Sequence, residues 1–174
     1  MDFLLTALPR SGTTWASVWL ADGALCLHDP LAYYTPQHLR EYDPGCRWGI
    51  SDTNIWALKN DVAAFCCPVA VIERPLEQIR TSMERLGAAP LSDAEVELYK
   101  RCEGRRFEYR QMFELDGARE IWAHLRPDME MNVERWDCLR KIKMEPHFGR
   151  IHHDPKIMAQ VMRQVRRAAE IAFG

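Results

Sequence analysis

Residues 3–15, FLLTALPRSGTTW, decide how this chain is read. Phe3 to Leu8 is a short apolar run that stops at Pro9-Arg10-Ser11-Gly12, the pattern of a buried strand running into a turn. From Gly12 to Ala21 the period changes. Trp15, Val18, Trp19 and Asp22 recur at i, i+3, i+4 and i+7, the first three as an apolar helical stripe, and Gly23 is a plausible stop. A strand that turns on Ser-Gly into a helix aims successive backbone N–H groups at one point. Such a helix N-terminus is an anion site. Gly12 permits close approach of a ligand, and Ser11, Thr13 and Thr14 add hydroxyl donors.

The segment nearly spells the nucleotide-binding pattern G-x-x-x-x-G-K-[ST]. Gly12 and Thr14 fit it. Ala7 stands in place of the first glycine and Thr13 in place of the lysine. A cation is nevertheless present three residues earlier, as Arg10, whose guanidinium can fork onto two anion oxygens.

Working outward, Ala24 to His28 reads as a second buried strand. Leu31 to Tyr42 reads as an aromatic-rich helix interrupted by Pro36. GCRWGISDT (residues 45–53) reads as turn, with Ser51 or Asp52 capping a helix over Asn54 to Phe65. Pro68 to Ile72 is a fully apolar strand closed by Glu73-Arg74-Pro75. Pro75 suits the first turn of a helix with Ile79, Met83 and Leu86 as its core stripe and Gly87 at its end. Ser92 to Glu95 is a capping box opening a long polar helix, bent or split at Gly104 before Leu115. Glu130 to Val133 is a weaker strand. Asp154 and Pro155 start a last helix with Met158, Val161, Met162, Val165, Ala169 and Ala172 on its core face. Strands alternating with helices imply an α/β fold, a central parallel sheet flanked by helices in three layers, as one domain over residues 1–174.

The 174 residues are enough for a sizeable core, and 47% hydrophobic with 28% charged is ordinary globular composition. A net charge of −2 argues against a nucleic-acid binder, which carries a basic excess. Asp2 stands where a secretory leader has positive charge, and no run reaches the roughly 18 apolar residues of a membrane span. The six cysteines contain no C-x-x-C, and Cys66-Cys67 precede an apolar run, so the expectation is buried structural thiols in a reducing cytoplasm.

PRSGTTW (residues 9–15) resembles the 5′-phosphosulfate-binding loop of the P-loop sulfotransferases, whose usual forms are PKSGTTW and PRSGTTW. The resemblance implies a three-layer P-loop fold and the cofactor 3′-phosphoadenosine-5′-phosphosulfate (PAPS), with 3′,5′-adenosine bisphosphate as product and no required metal. It implies that Arg10 grips the phosphosulfate and steadies charge on the bridging oxygen, with Ser11, Gly12, Thr13 and Thr14 completing the loop. Trp15 takes a position that stacks on adenine in some members; core packing beside Val18 and Trp19 is its other reading. The family's second motif, an apolar strand, R-[DN]-P and a serine eight residues after the arginine, is matched by VAVIERPLEQIRTSM (residues 69–83). It implies that Arg74 and Ser82 bind the 3′-phosphate. Pro75 follows Arg74 directly, one residue early, so Arg80 is a further candidate there. A solvated strand-end charge is the plain reading of Arg74.

Many family members carry a base near the end of an early strand. His28 and Asp29 fall there, and imidazole ordinarily titrates in the range that suits base work at neutral pH. Either Asp29 is the base itself, or it orients His28, or it caps the following turn. Adjacent on an extended strand, the two would point to opposite sides. Beyond Gly87 the resemblance fades: the R-K-G tripeptide is absent, and HFGRIHHD (residues 147–154) with Arg150 is the comparable basic loop. The acceptor, a hydroxyl or amine, is not legible. The chain is short for this family, which leaves acceptor recognition to reduced insertions or to a second subunit, as in a homodimer.

Two other readings stand beside this one. VAVIE imitates a strand ending in a metal-helping acid, with Glu73 in that role, which would suit a kinase-like phosphoryl transferase; the missing lysine counts against it. The other is a nucleotide-binding module without catalysis. A zinc site from His147, His152, His153 and Asp154 is compositionally available, though adjacent loop histidines are more often surface residues.

Overall fold

The structure, a computed structural model, describes residues 1–54 and 65–142, all within one compact unit, Met1–Ile142. Five parallel strands form one sheet: β1 (Phe3–Ala7), β2 (Leu25–His28), β3 (Trp48–Asp52), β4 (Val69–Glu73) and β5 (Arg105–Glu108), in the spatial order β2-β3-β1-β4-β5. The described helices are α1 (Thr13–Leu20), α2 (Pro36–Glu41), α3 (Leu76–Arg85), α4 (Asp93–Lys100), α5 (Leu115–Leu125) and α6 (Val133–Arg140). The expected α/β fold with a central parallel sheet between helices is the fold of the described residues.

The strand register sorts the core into two faces. Leu4 pairs with Ile50 and with Val69, and Thr6 with Val71, so these side chains share one face. There Leu4 and Ile50 pack with Leu39 of α2, and Val71 packs with Ile79 and Met83 of α3 and Val96 and Tyr99 of α4. On the other face Trp19 of α1 meets Trp122 of α5 at 5.7 Å between ring centroids, and Arg126 lies over Phe3 at 5.6 Å. Both tryptophans and Phe3 are buried, and each such side chain contributes roughly 1.5–3 kcal/mol. The three layers are thus α2, α3 and α4, the sheet, and α1 with α5.

Several elements differ from the sequence reading. Residues 48–52, expected as turn, are the fully buried strand β3 beside β1. Gly49, which made the stretch look turn-like, is needed because a Cβ there would lie 2.4 Å from the Phe3 ring. Ser51 lies within β3, and its hydroxyl donates to the Thr13 carbonyl at 2.9 Å. Pro36 opens α2 at its first position behind the Thr35 cap, where a missing N–H costs nothing. The capping box at Ser92 and Glu95 forms, but α4 stops at Lys100, and Gly104 precedes β5 instead of bending a helix. β5 went unread because RRFE has three exposed positions of four and a single buried Phe107. Residues 130–133 are not a strand: Asn132 caps α6, its side chain accepting from the Arg135 N–H. Val18 is exposed, outside the α1 core stripe. Cys66 is exposed rather than buried. The helix expected over residues 54–65 falls mostly outside the described residues, as do residues 147–154, Arg150 and the last helix. The single-domain expectation for residues 1–174 extends past them too.

Candidate functional site

The sheet order locates the site before any side chain does. From β1 the chain leaves through α1 toward β2 at one edge. From β4 it leaves through α3 and α4, on the opposite face, toward β5 at the other edge. β1 and β4 are neighbours, so a crevice opens between the loops at their C-terminal ends, where open α/β sheets bind ligands. The two loops are residues 8–12 and residues 74–75, which fall in the two stretches that carried the resemblance.

The first loop has the conformation of an anion cradle. Arg10 and Gly12 both have positive φ, 67° and 81°. Gly12 is the N-cap of α1, contributes no side-chain cap, and no acidic residue occupies the first turn. The helix ladder starts with the Ala16 N–H on the Gly12 carbonyl, so the preceding N–H groups at residues 13–15 lie ahead of it. Ser11 is fully buried, and its hydroxyl has no hydrogen-bond partner among the described residues. Such orphaned groups are uncommon in native interiors, and a bound oxygen ligand is one ordinary explanation.

Around this cradle the fold gathers distant residues. The Arg10 Nε donates to the Ser82 hydroxyl at 3.1 Å, across 72 positions of sequence. Arg74 donates through Nη1 to the Arg10 carbonyl, and its Nε reaches Gln78 Oε1 at 3.4 Å. Arg74 lies in the turn between β4 and α3, and Gln78 and Ser82, four residues apart on α3, share one helical face beside it. The plain reading of Arg74 as a solvated strand-end charge is not its state here. Arg80 is exposed and sits 3.7 Å from Asp93. Arg106 Nη1 donates to the Glu73 carboxylate at 2.7 Å, forming an ion pair.

On the other side of the loop, His28 Nε2 lies 3.3 Å from the Thr13 hydroxyl, 3.1 Å from the Thr14 hydroxyl and 3.4 Å from Asp29 Oδ2. The expectation that His28 and Asp29 diverge is corrected. Asp29 has φ 47°, a left-handed turn that folds its carboxylate back to the imidazole. Nor does that carboxylate cap the following turn: Oδ1 accepts the Thr53 N–H at 2.7 Å and the Thr53 hydroxyl at 3.1 Å, joining the ends of β2 and β3. Trp15 is buried, with Trp19 and Phe113 rings at 5.3 and 4.8 Å and its indole N–H on the Leu139 carbonyl at 3.0 Å. A base could reach it only by displacing those rings, so its surroundings are those of the core-packing reading.

Two site residues escaped the sequence reading. Asp52 ends β3, fully buried, with Oδ2 accepting from the Leu31 N–H at 2.9 Å and Oδ1 from the Asn54 N–H. Burial, with a smaller push from the Asp29 charge, raises its pKa to about 6 against these hydrogen bonds. Tyr109, in the 3₁₀ turn Tyr109–Phe113, lies under the Arg74 guanidinium at 4.6 Å. Nothing local marks Tyr109; it is placed by the register of β4 on β5. Among the described residues no group of three metal-binding side chains occurs, and no helix is long and apolar enough to cross a membrane.

No protein-family model and no curated protein sequence matches the chain.

Proposed function

We propose that the protein is a sulfotransferase-like enzyme that transfers a sulfuryl group from PAPS to an acceptor hydroxyl or amine. The reading rests on one observation above the others: Arg10 from the first motif and Ser82 and Arg74 from the second meet at the N-terminus of α1. The donor set fits a doubly anionic nucleotide. The loop amides, the orphaned Ser11 hydroxyl and Arg10 are suited to a 5′ anion. Arg74 commits Nη1 and Nε to protein partners, and its remaining N–H groups, with Ser82, are suited to a 3′-phosphate. When bound, PAPS would supply an activated sulfuryl group and a leaving phosphate that gains charge. Arg10 would stabilise that charge, as preorganised donors do. His28 would accept the acceptor's proton, its ring held by Thr13, Thr14 and Asp29.

The kinase-like reading is weakened by two features. Thr13 replaces the phosphate-binding lysine, and Glu73, its metal-helping acid, is taken by Arg106. Calorimetry with 3′,5′-adenosine bisphosphate, AMP and ATP, each with and without Mg²⁺, tests the proposal. The bisphosphate should bind without Mg²⁺ and roughly ten- to 150-fold above AMP, the effect of one charge-assisted contact set. Equal affinity for the two removes the 3′-phosphate assignment. Mg²⁺-dependent ATP binding would favour phosphoryl transfer, and silence toward all three a different ligand class.

A further inference from the structure

We propose that Arg74 and Tyr109 are positioning residues, a clamp that holds the residue 8–12 loop in the backbone conformation that directs Arg10 onto Ser82. This rests on the reading of that loop as the anion site and assigns the clamp its own role there.

Arg10 is a non-glycine residue at φ 67°, in the left-handed region where Cβ crowds the following carbonyl oxygen, and such residues persist where surrounding contacts over-determine them. Arg10 is the residue so held. Its carbonyl accepts from Arg74 Nη1, and its own guanidinium donates to Ser82. The Arg74 guanidinium in turn lies over the Tyr109 ring, 4.6 Å from its centroid. The same ring backs the other end of the loop, since a Cβ added to Gly12 would lie 3.1 Å from Tyr109 Cε2 and 3.0 Å from Met112 Cε. One aromatic side chain therefore braces both the strained arginine's partner and the glycine that caps α1.

The sheet explains why these groups meet. Ala7 pairs with Ile72, and Glu73 pairs with Glu108. Residues 74 and 109 thus leave adjacent strand ends side by side, next to the loop that leaves β1. A lysine in place of Arg74 would keep the charge but lose both the planar fork and the stacking surface. That separates a geometric role from a merely electrostatic one.

The test uses the nucleotide-free full-length protein, so any contact of Arg74 with phosphate is excluded from the readout. Hydrogen exchange at the Arg10 Nε–H, followed by NMR and assigned by its loss in Arg10→Lys, reports the bond to Ser82. Arg74→Lys and Tyr109→Leu should each speed this exchange by about tenfold or more, the loss of roughly one charge-assisted hydrogen bond. Tyr109→Phe, which keeps the ring, should retain the wild-type rate. Should Tyr109→Leu fail to fold, Arg74→Lys carries the test by itself. Unchanged Arg10 protection in the folded Arg74→Lys protein overturns the clamp, as does equal loss in Tyr109→Phe and Tyr109→Leu. Because no nucleotide is present, this result is independent of whether 3′,5′-adenosine bisphosphate binds, and so separates failure of the clamp from failure of the proposed activity.

Discussion

At the scale of single residues, the site contrasts groups that are satisfied without a ligand with groups that are not. Ser11 belongs to the second kind. Its buried hydroxyl has no bond to lose among the described residues, so Ser11→Ala should leave thermal stability unchanged or raise it by up to about 1 kcal/mol. The same substitution should weaken binding of 3′,5′-adenosine bisphosphate, read by calorimetry beside a melting curve. Loss of stability without loss of affinity would make Ser11 a structural hydroxyl. Arg10→Ala should leave nucleotide affinity modestly reduced, because the helix N-terminus remains, yet lower turnover by on the order of 10²–10³. Steady-state kinetics with an identified acceptor gives that number. His28→Ala should cost turnover roughly 10²–10⁴ as loss of a general base, whereas Asp29→Asn should cost far less, because one side-chain oxygen can still accept from Thr53. A dead Asp29→Asn beside an active His28→Ala would move the base to Asp29.

At the scale of elements, the strand ends behave as a hydrogen-bonded rim. Asp29 joins β2 to β3, Ser51 joins β3 to α1, and Thr6 of β1 donates to the Asp52 carbonyl at 3.0 Å. Asp52 gives this rim a pH dependence whose sign follows from its raised pKa. The unfolded carboxyl releases its proton near pH 3.8 and the folded one near pH 6. Between those values the native state holds the extra proton, so stability falls as pH rises through the window and is level above it. At about 1.4 kcal/mol per pH unit, the contribution lost by pH 7 is about 3 kcal/mol. Urea unfolding from pH 4 to 8 should show this decline, and Asp52→Asn should flatten it. A wild-type profile that rises across the window would mean that the hydrogen bonds from Leu31 and Asn54 outweigh burial.

At the scale of the whole molecule, the parallel sheet brings three loops from separate parts of the chain to one edge. Neighbouring strands β1, β4 and β5 deliver residues 8–12, residue 74 and residue 109 side by side. A ligand bound at that edge would stabilise the fold by RT ln(1 + [L]/Kd), roughly 2.7 kcal/mol at a hundredfold excess over Kd. Thermal unfolding with 3′,5′-adenosine bisphosphate in EDTA should show this shift, and Gly12→Ala should abolish it while lowering stability itself. That substitution places a Cβ at φ 81° against Met112 and Tyr109, a strain of about 1–2 kcal/mol. A wild-type shift that requires added Mg²⁺ would contradict the metal-free reading.

The local patterns were legible because they are enforced over a few residues. The apolar run into Ser-Gly determined β1 and α1, the Ser92–Glu95 box determined the start of α4, and the eight-residue spacing marked Arg74 and Ser82 as a pair. β3 and β5 were not legible. WGISD carries a glycine that only the Phe3 ring explains, and RRFE buries one residue in four, so neither shows the apolar run or clean alternation that marks a strand in isolation. The candidate site divides the same way. Its anion loop follows from residue order, since backbone N–H groups at a helix start need no distant partner. The partners do not: Ser82 on Arg10, Tyr109 under Arg74 and Asp29 turned back on His28 depend on strand order, register and one left-handed residue. Those are properties of the assembled sheet, in which contact is set by which strand ends are neighbours and not by distance along the chain.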